Sequence, residues 1–419
     1  MIAVGLPVHS AAYTLLQHTL ESPTNPSTSL HGLLMSAITM LHSRPVRFFF
    51  LIGSASLLFV WLCDVYRLSQ YKPLYPDPPK FRFFHWDTKP FLEPFSEAKV
   101  SSPCDRFPQR VFNNVQVVLK TGLTESPERI QSHLKSVTKC FPNLLIVSDY
   151  DGIVNEYHVH DVLADLSEAY SLDNPDFDTY YTQKAMLEAN NITEYNNQAG
   201  WKLDRFKFLP MVHKAYTMHQ TAYWFVFIET DTYIFWDNLL RMLENLDPLV
   251  PQYIGSPLHG DGLMYAYGGS GIVLSRAAIE ALLDRETDGH GSYTSAIIYE
   301  QDEWVERVKK TTYGEMVLGE ALLERADVKL SGYFPMFYPL NIESLEFSND
   351  VWCVPIISVH KLQTLEQYEE LWSWEMGPGD DNVGVEVLIC FRATLTKTAA
   401  NRLLHGVHVG SPAARATAI

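Results

Sequence analysis

The segment from Tyr223 to Tyr233 constrains the fold of this chain more than any other. It reads Tyr-Trp-Phe-Val-Phe-Ile-Glu-Thr-Asp-Thr-Tyr, an apolar run that ends abruptly in two carboxylates. Large apolar residues without polar alternation are typical of a parallel strand buried on both faces, and the run is too short for an ordinary helix. In open α/β sheets, ligands bind in the crevice beyond the carboxyl ends of the strands. The sequence therefore places Glu229 and Asp231 at a predicted binding site.

The spacing of the two acids suggests what they bind. They are two residues apart, which is ~6.5 Å along an extended chain and on one side of it. Carboxylates so placed can share one hard cation together with a phosphate-bearing ligand. The alternative is an acidic pair that is simply solvated in the turn after a strand.

The composition is that of an ordinary globular protein and excludes one class of partner. The chain has 419 residues, of which 47% are hydrophobic and 19% charged, with a formal charge of −17. Without a basic excess it is not expected to bind nucleic acid. A phosphate-bearing ligand would need a cation as intermediary.

Three segments precede the predicted globular region. Residues 1–43 are rich in Ser, Thr, Pro and His and are expected to form a disordered tail. The run from Phe48 to Cys63 contains no charge and follows two arginines, which predicts a transmembrane signal anchor over residues 46–64. A signal-peptide core and a buried helix are the alternatives. Residues 65–108 are rich in proline and are expected to form an extended stem.

Two further features have meaning if the globular region lies in the secretory lumen. Asn191-Ile192-Thr193 is an acceptor for N-glycosylation. The four cysteines outside the apolar run permit three full pairings, and Cys104 with Cys140 is one candidate pair. With the anchor, these features predict a single-pass type II protein of the Golgi or another secretory-pathway membrane, with its globular region in the lumen.

Apolar runs that end in polar residues recur in the globular region, which is expected to span residues 109–375. Val115–Leu119 is followed by Lys120-Thr121, and Leu144–Val147 is followed by Ser148-Asp149. Asp149 could hold a ribose or base, or could simply belong to a turn. Strand ends of this kind are typical of nucleotide-binding α/β domains.

Helical patterns alternate with these strands. One helix is predicted over Glu128–Val137, and another opens with Trp201–Pro210 and leads into the strand at Tyr223. Residues 171–200 between them are polar and are expected to form a loop. The alternation predicts an α/β fold with a central, mostly parallel sheet flanked by helices.

Three motifs follow the acid pair. Gly268-Gly269-Ser270-Gly271 precedes a helix predicted to begin at Ser275, and it is either a turn that lets backbone approach a ligand or a tight packing turn. Glu315 stands at a predicted helix start, where the dipole favours an acid and where a general base could also act. Val351–His360 is predicted to be one more strand; the histidine at its end is either structural or a ligand.

Taken together, these motifs resemble those of the fringe-like glycosyltransferases of family 31, most closely the fungal branch, over about residues 104–375. Glu229-Thr230-Asp231-Thr232-Tyr233 resembles the family's Asp-x-Asp segment. Gly268-Gly269-Ser270-Gly271 resembles its glycine turn, Gly314–Gly319 its acidic motif, and His360 the late histidine of its metal site. The chain departs from the family's motifs at positions 229 and 315, where it has glutamate and the family usually has aspartate.

The resemblance implies a role for each matching residue. The ligands of a divalent cation would be Glu229, Asp231 and His360, and carboxylate with imidazole suits Mn²⁺ better than Ca²⁺. Glu315 would be the catalytic base. The residues that would bind the nucleotide sugar are Lys120, Thr121, Asp149, Asp204, Lys207, Thr230, Gly268, Gly269 and Ser270.

The resemblance also implies a fold and an activity. The fold would be GT-A-like, and the reaction would move a hexose or N-acetylhexosamine from a UDP-sugar, with inversion, to a glycan or glycoprotein hydroxyl, forming a β-1,3 linkage. Residues 376–419 form a divergent C-terminal tail. One alternative is a catalytically silent lumenal protein that binds nucleotide sugars. A glycosidase with two carboxylates is disfavoured because it needs neither a metal nor a nucleotide crevice.

Overall fold

The computed structural model describes residues 56–62, 102–189, 200–283, 286–287, 293–294, 298–345 and 354–376. The chain divides into two compact units, residues 1–72 and 73–419. The predicted N-terminal tail, most of the predicted anchor and stem, the glycosylation acceptor and the C-terminal tail lie outside the described residues.

The first unit is described only over residues 56–62, which are helical and exposed. In the described parts of the chain, no helix combines the length and the apolar character that crossing a bilayer requires.

A large sheet lies at the centre of the second unit. The strands of this unit are β1 (Val115–Lys120), β2 (Leu145–Ser148), β3 (Gly152–Val154), β4 (Tyr157–Asp161), β5 (Trp224–Glu229), β6 (Tyr233–Ile234), β7 (Tyr253–Gly255), β8 (Pro257–Gly260), β9 (Leu263–Ala266), β10 (Ile272–Ser275), β11 (Glu286–Thr287), β12 (Tyr293–Thr294), β13 (Leu330–Gly332) and β14 (Ser358–Val359). Eight of them form the sheet, in the order β13-β7-β10-β5-β1-β2-β4-β3. Among the described residues, four of its seven pairings are parallel.

Strand β5 is the strand predicted from the apolar run before Glu229 and Asp231, and it ends at Glu229. It is buried on both faces, as predicted. Phe225 and Phe227 pack into the core on one face of the sheet, whereas Trp224, Val226 and Ile228 pack into the core on the other. Its neighbours are β1, which is parallel, and β10, which is antiparallel. The mixed sheet confirms the predicted mixed α/β class with a mostly parallel centre.

Helices cover both faces of this sheet and supply much of the two cores. They are α1 (Gln109–Phe112), α2 (Pro127–Lys135), α3 (Asp176–Glu188), α4 (Asp204–Met218), α5 (Trp236–Glu244), α6 (Arg276–Leu282), α7 (Asp302–Lys310), α8 (Gly314–Ala326) and α9 (Leu365–Met376). Side chains of α3, α4, α6, α7 and α8 belong to one core, and those of α5 and α9 to the other. The helix predicted at Glu128 and the helix predicted after Trp201 are present as α2 and α4.

Two sequence predictions about local structure were wrong, and a third was incomplete. Residues 171–200 were expected to form a loop, but helix α3 forms there because Phe177 packs on Phe206 of α4 at 5.1 Å between ring centroids. The helix predicted to begin at Ser275 is present, because Ser275 caps α6, but strand β10, which was not predicted, lies between the glycine turn and that helix. The strand predicted over 351–360 is reduced, within its described part, to β14, which pairs with β6 outside the large sheet.

The first described residues of the second unit pack against its core. Cys104 forms a disulfide with Cys140, so one of the candidate pairs exists. Phe107 is buried in the same core, and its ring lies 5.5 Å from that of Phe112. These contacts tie residues 102–112 to the α2–β2 region.

Candidate metal and nucleotide site

The acid pair and the late histidine meet at the carboxyl end of β5. Nε2 of His360 lies 3.0 Å from Oδ1 of Asp231 and 3.9 Å from Oε2 of Glu229. One ligand atom from each of the three residues lies within 4.8 Å of the others. The meeting follows from the pairing of β14 with β6, in which Val359 is the partner of Tyr233. His360, one residue beyond Val359, is thereby brought back to the acids.

Local contacts orient the ring of His360. Its Nδ1 lies 3.3 Å from the carbonyl oxygen of Pro339 and 3.4 Å from the hydroxyl of Tyr267. Donation from Nδ1 to the carbonyl leaves Nε2 as the atom with a lone pair, and Nε2 faces the acids. Gly269 lies against the ring, and a Cβ there would be only 2.4 Å from Cε1 of His360. The absence of a side chain at Gly269 therefore makes room for the imidazole.

Asp231 and His360 each stabilise the charged form of the other. Burial disfavours the carboxylate of Asp231, but the attraction of His360, whose Nε2 lies 3.0 Å from Oδ1 of Asp231, outweighs burial and lowers the pKa of Asp231. Burial likewise disfavours the imidazolium of His360, but Asp231 and Glu229 outweigh it and raise the pKa of His360. The cluster thus offers anionic oxygens beside a nitrogen, which is a donor set typical of a divalent transition metal.

A chain of alternating charges leads from Glu229 along the edge of the sheet. Nζ of Lys120 lies 3.2 Å from Oε1 of Glu229 and 3.0 Å from Oδ2 of Asp204. Nζ of Lys207 lies 2.8 Å from Oδ1 of Asp204. Burial disfavours the charge on Lys120, but Asp204 and Glu229 outweigh it and raise the pKa of Lys120. Desolvation is likewise outweighed at Asp204, where the two lysines lower the pKa to about 2.

Three of these charged residues, Lys120, Asp204 and Glu229, border a cleft of about 160 Å³. The residues that line it include Lys120, Thr121, Asp204 and Thr230, together with Glu229, Asp231, Gly122, Thr124 and Glu125. Trp201 stands at the cleft with 57% of its surface exposed. Four of the predicted nucleotide-binding residues therefore face the same space as two of the predicted metal ligands.

Lys207 and Asp149 lie behind the cleft instead of lining it. Lys207 is fully buried, and its ammonium donates to the carbonyl of Thr121 at 2.7 Å and lies 3.5 Å from Oδ2 of Asp149. Oδ1 of Asp149 accepts a hydrogen bond from the amide of Leu123 at 2.7 Å. These two side chains hold the loop after β1 through protein contacts.

The glycine turn lies on the histidine side of the cluster. Gly268–Ser270 form a single 3₁₀ turn, followed by Gly271 with φ +86°. The carbonyl of Gly269 accepts a hydrogen bond from the hydroxyl of Thr232 at 2.8 Å, and that of Ser270 accepts one from Ser358 at 2.6 Å. The turn thus connects residues 229–233, called the acid segment below, to β14. Ser270 is itself fully buried.

Glu315 lies near the same cluster at the start of α8. Only 8% of its surface is exposed. Burial, with a further contribution from the charge of Glu229, raises the pKa of the Glu315 carboxyl. The helix begins close to α4, since a Cβ at Gly314 would lie 2.4 Å from the carbonyl oxygen of Arg205. A carboxylate with a raised pKa is better suited to accept a proton than one at the ordinary value.

Sequence reasoning missed the residues that hold the acid segment from behind. The hydroxyl of Tyr368 on α9 donates to the carbonyl of Thr230, and Nε2 of buried His133 lies 3.0 Å from the carbonyl of Thr232. Glu375, which lies on α9 with Tyr368, accepts hydrogen bonds from the hydroxyl of Tyr233 at 2.7 Å and from the amide of Asp237 at 3.1 Å. No motif in the sequence signals these contacts, because they depend on the tertiary placement of α2 and α9.

Comparison with known protein families adds one finding to this geometry. Residues 178–307 match the family model described as Fringe-like. These residues are therefore similar to Fringe-like proteins and are called the Fringe-like segment below. The match confirms the fringe-like resemblance for residues 178–307, and the Fringe-like family is generally one of glycosyltransferases of the GT-A type.

The Fringe-like segment contains only part of the candidate site. It includes Asp204, the acid segment and the glycine turn, whereas Lys120, Glu315 and His360 lie outside the matched residues. The fold joins the Fringe-like segment to Lys120 through the pairing of β5 with β1 and to His360 through that of β6 with β14. Glu315 is joined to it by the close approach of α8 to α4.

Proposed function

We propose that this chain is a divalent-cation-dependent, inverting glycosyltransferase that uses a UDP-sugar. The observation that carries this proposal is the convergence of Glu229, Asp231 and His360 beside a cleft lined by Lys120 and Asp204. The Fringe-like segment supports the same class of activity. The sugar would be a hexose or N-acetylhexosamine, and the acceptor a glycan or glycoprotein hydroxyl, with a β-1,3 linkage formed.

The cluster fits a divalent cation, for which we propose Mn²⁺. Nε2 of His360 is buried and, among the described residues, has no hydrogen-bond partner with acceptable geometry, although Asp231 is close. An unsatisfied nitrogen aimed at two carboxylates is the arrangement a metal would complete. Asp231 and His360 would be direct ligands, and Glu229 would bind directly or through water. A bound cation would act as a Lewis acid that stabilises the departing diphosphate.

The other residues would handle the donor and the proton. Lys120, which lies between two carboxylates, would add positive charge near the diphosphate, and Thr121, Asp204 and Thr230 would shape its pocket. Asp149 and Lys207 would hold the loop after β1 from behind. Glu315 would remove the proton from the acceptor hydroxyl during direct displacement at the anomeric carbon. Gly268, Gly269 and Ser270 would place His360 and the acid segment.

We also propose where the protein works. The Cys104–Cys140 disulfide supports an oxidising compartment, because such bonds persist mainly in secretory and extracellular proteins. A type II orientation in a Golgi or other secretory membrane, anchored through residues 46–64, would place the second unit in the lumen.

The test is a screen of UDP-sugars for release of UDP, with Mn²⁺ and with EDTA. We expect at least one UDP-sugar to be hydrolysed slowly with Mn²⁺ and not with EDTA, and we expect Asp231→Ala to remove this release. Equal release in EDTA would contradict the role of the cation. Tight Mn²⁺-dependent binding of UDP without release from any donor would instead favour a silent nucleotide-sugar-binding protein.

A further inference from the structure

The carbonyl oxygens of three consecutive residues in the acid segment are each engaged by a different part of the fold. That of Thr230 accepts from Tyr368, that of Asp231 accepts from the amide of Leu362 at 3.1 Å, and that of Thr232 is contacted by His133. These donors come from α9, from the loop before it and from α2. Because a short segment between β5 and β6 has few sheet hydrogen bonds, its position depends on such contacts.

Of these three donors, the Tyr368 hydroxyl can be removed with the least change to the rest of the structure. Its side chain is 1% exposed, its ring lies edge-on to His133 at 6.2 Å, and its hydroxyl reaches the carbonyl immediately before Asp231. Replacing Tyr368 by phenylalanine keeps the ring and its packing and removes only the hydroxyl. The carbonyl of Thr230 then loses its buried partner, and a buried carbonyl without a partner favours rearrangement of its peptide.

We propose that Tyr368 is a positioning residue for the candidate metal site. By holding the carbonyl of Thr230 it fixes the direction in which the next residue, Asp231, presents its carboxylate to Nε2 of His360. This inference rests on the proposed cation site, but it concerns a residue that touches neither cation nor substrate. Groups that orient a ligand in this way typically change metal affinity by about 10–100-fold when they are removed.

The test compares Tyr368→Phe with a matched control in the full-length chain. Tyr170→Phe is the control because Tyr170 is also 1% exposed and its hydroxyl also donates to a backbone carbonyl, that of Tyr299 at 2.6 Å. Mn²⁺ affinity is measured by calorimetry, and hydrogen exchange is followed in the peptide that covers residues 229–233. We expect Tyr368→Phe to weaken Mn²⁺ binding about tenfold and to speed exchange in that peptide. In Tyr170→Phe we expect both to match the wild type.

Each other outcome counts against the proposal in a distinguishable way. If the wild type binds Mn²⁺ and Tyr368→Phe binds it equally well, the positioning role is rejected while the cation site stands. If both variants weaken Mn²⁺ binding alike, the effect is one of general stability and the positioning role is again rejected. If the wild type binds no Mn²⁺, the cation site itself is rejected, and with it the role of Tyr368.

Discussion

Gly269 and His360 are in direct contact, with the backbone of the glycine turn pressed against the imidazole ring. A Cβ on Gly269 would lie 2.4 Å from Cε1 and 2.6 Å from Nε2 of that ring. Two motifs that are far apart in the chain thus share one small space. The glycine is required there because the histidine occupies the volume of its side chain.

This contact predicts the effect of Gly269→Ala. The added methyl group must displace the ring of His360, so Mn²⁺ affinity should fall by at least about tenfold. Gly332→Ala is the control, because a Cβ at Gly332 would lie 2.8 Å from that of Pro257, in strands β13 and β8. Both variants should melt at lower temperature than the wild type, but only Gly269→Ala should lose Mn²⁺ affinity in a calorimetric titration. Equal Mn²⁺ affinity in the two variants would contradict the assignment of His360.

The position of Glu315 predicts that its replacement slows transfer without weakening the binding of UDP. Glu315→Gln keeps the shape and cannot accept the proton, so transfer should slow by about 10²–10⁴-fold. Affinity for UDP with Mn²⁺ should stay within about twofold, since no cation ligand changes. Transfer rates and UDP titrations of the same preparation check both expectations. Full transfer activity in Glu315→Gln would reject this residue as the base.

The raised pKa of Glu375 predicts that the free energy of unfolding depends on pH. Burial outweighs the hydrogen bonds from Tyr233 and the amide of Asp237, and it raises the pKa of Glu375 from 4.5 to about 8. The folded state therefore keeps a proton that the unfolded state loses between pH 4.5 and 8, so this group's stabilisation falls as pH rises through that window. The slope contributed is at most about 1.4 kcal/mol per pH unit.

Glu375→Gln should flatten that slope. The amide oxygen of glutamine can still accept from the backbone amide of Asp237, its NH₂ group can donate to the hydroxyl oxygen of Tyr233, and the side chain carries no titrating proton. Urea unfolding at intervals between pH 5 and 8 measures the free energy of unfolding at each pH. Glu369→Gln, an exposed glutamate on the same helix, controls for the loss of a charge. A slope unchanged from the wild type in Glu375→Gln would show that this carboxyl is ionised in the folded state.

Sequence patterns predicted the parts of the site that follow from strand ends. The apolar run before Glu229 was correctly interpreted as a strand buried on both faces, because burial on both faces leaves no polar alternation. Asp231 and His360 were expected at one site from the resemblance, and the structure brings them within 3.0 Å. The contact itself depends on the pairing of β6 with β14, strands too short to carry a periodic pattern.

Other features depend on tertiary contacts that leave no local pattern. Helix α3 was missed because polar Gln183 is buried beside Phe177 and Tyr180, so the helix lacks a clear apolar stripe. Lys207 was expected to meet a ligand, but its ammonium contacts Asp149, Asp204 and Thr121 inside the protein. A lysine that is fully buried among acceptors cannot be distinguished in sequence from one that faces a cleft.

If Asp231 holds the cation that UDP needs for binding, removing its carboxylate should abolish Mn²⁺-dependent binding of UDP. UDP is titrated into the full-length wild type and into Asp231→Ala, each with Mn²⁺ and with EDTA. We expect the wild type to bind UDP with Mn²⁺ and to lose that binding in EDTA, and we expect Asp231→Ala to show no Mn²⁺-dependent binding. Undiminished, Mn²⁺-dependent binding of UDP by Asp231→Ala would show that Asp231 is not a ligand of the cation.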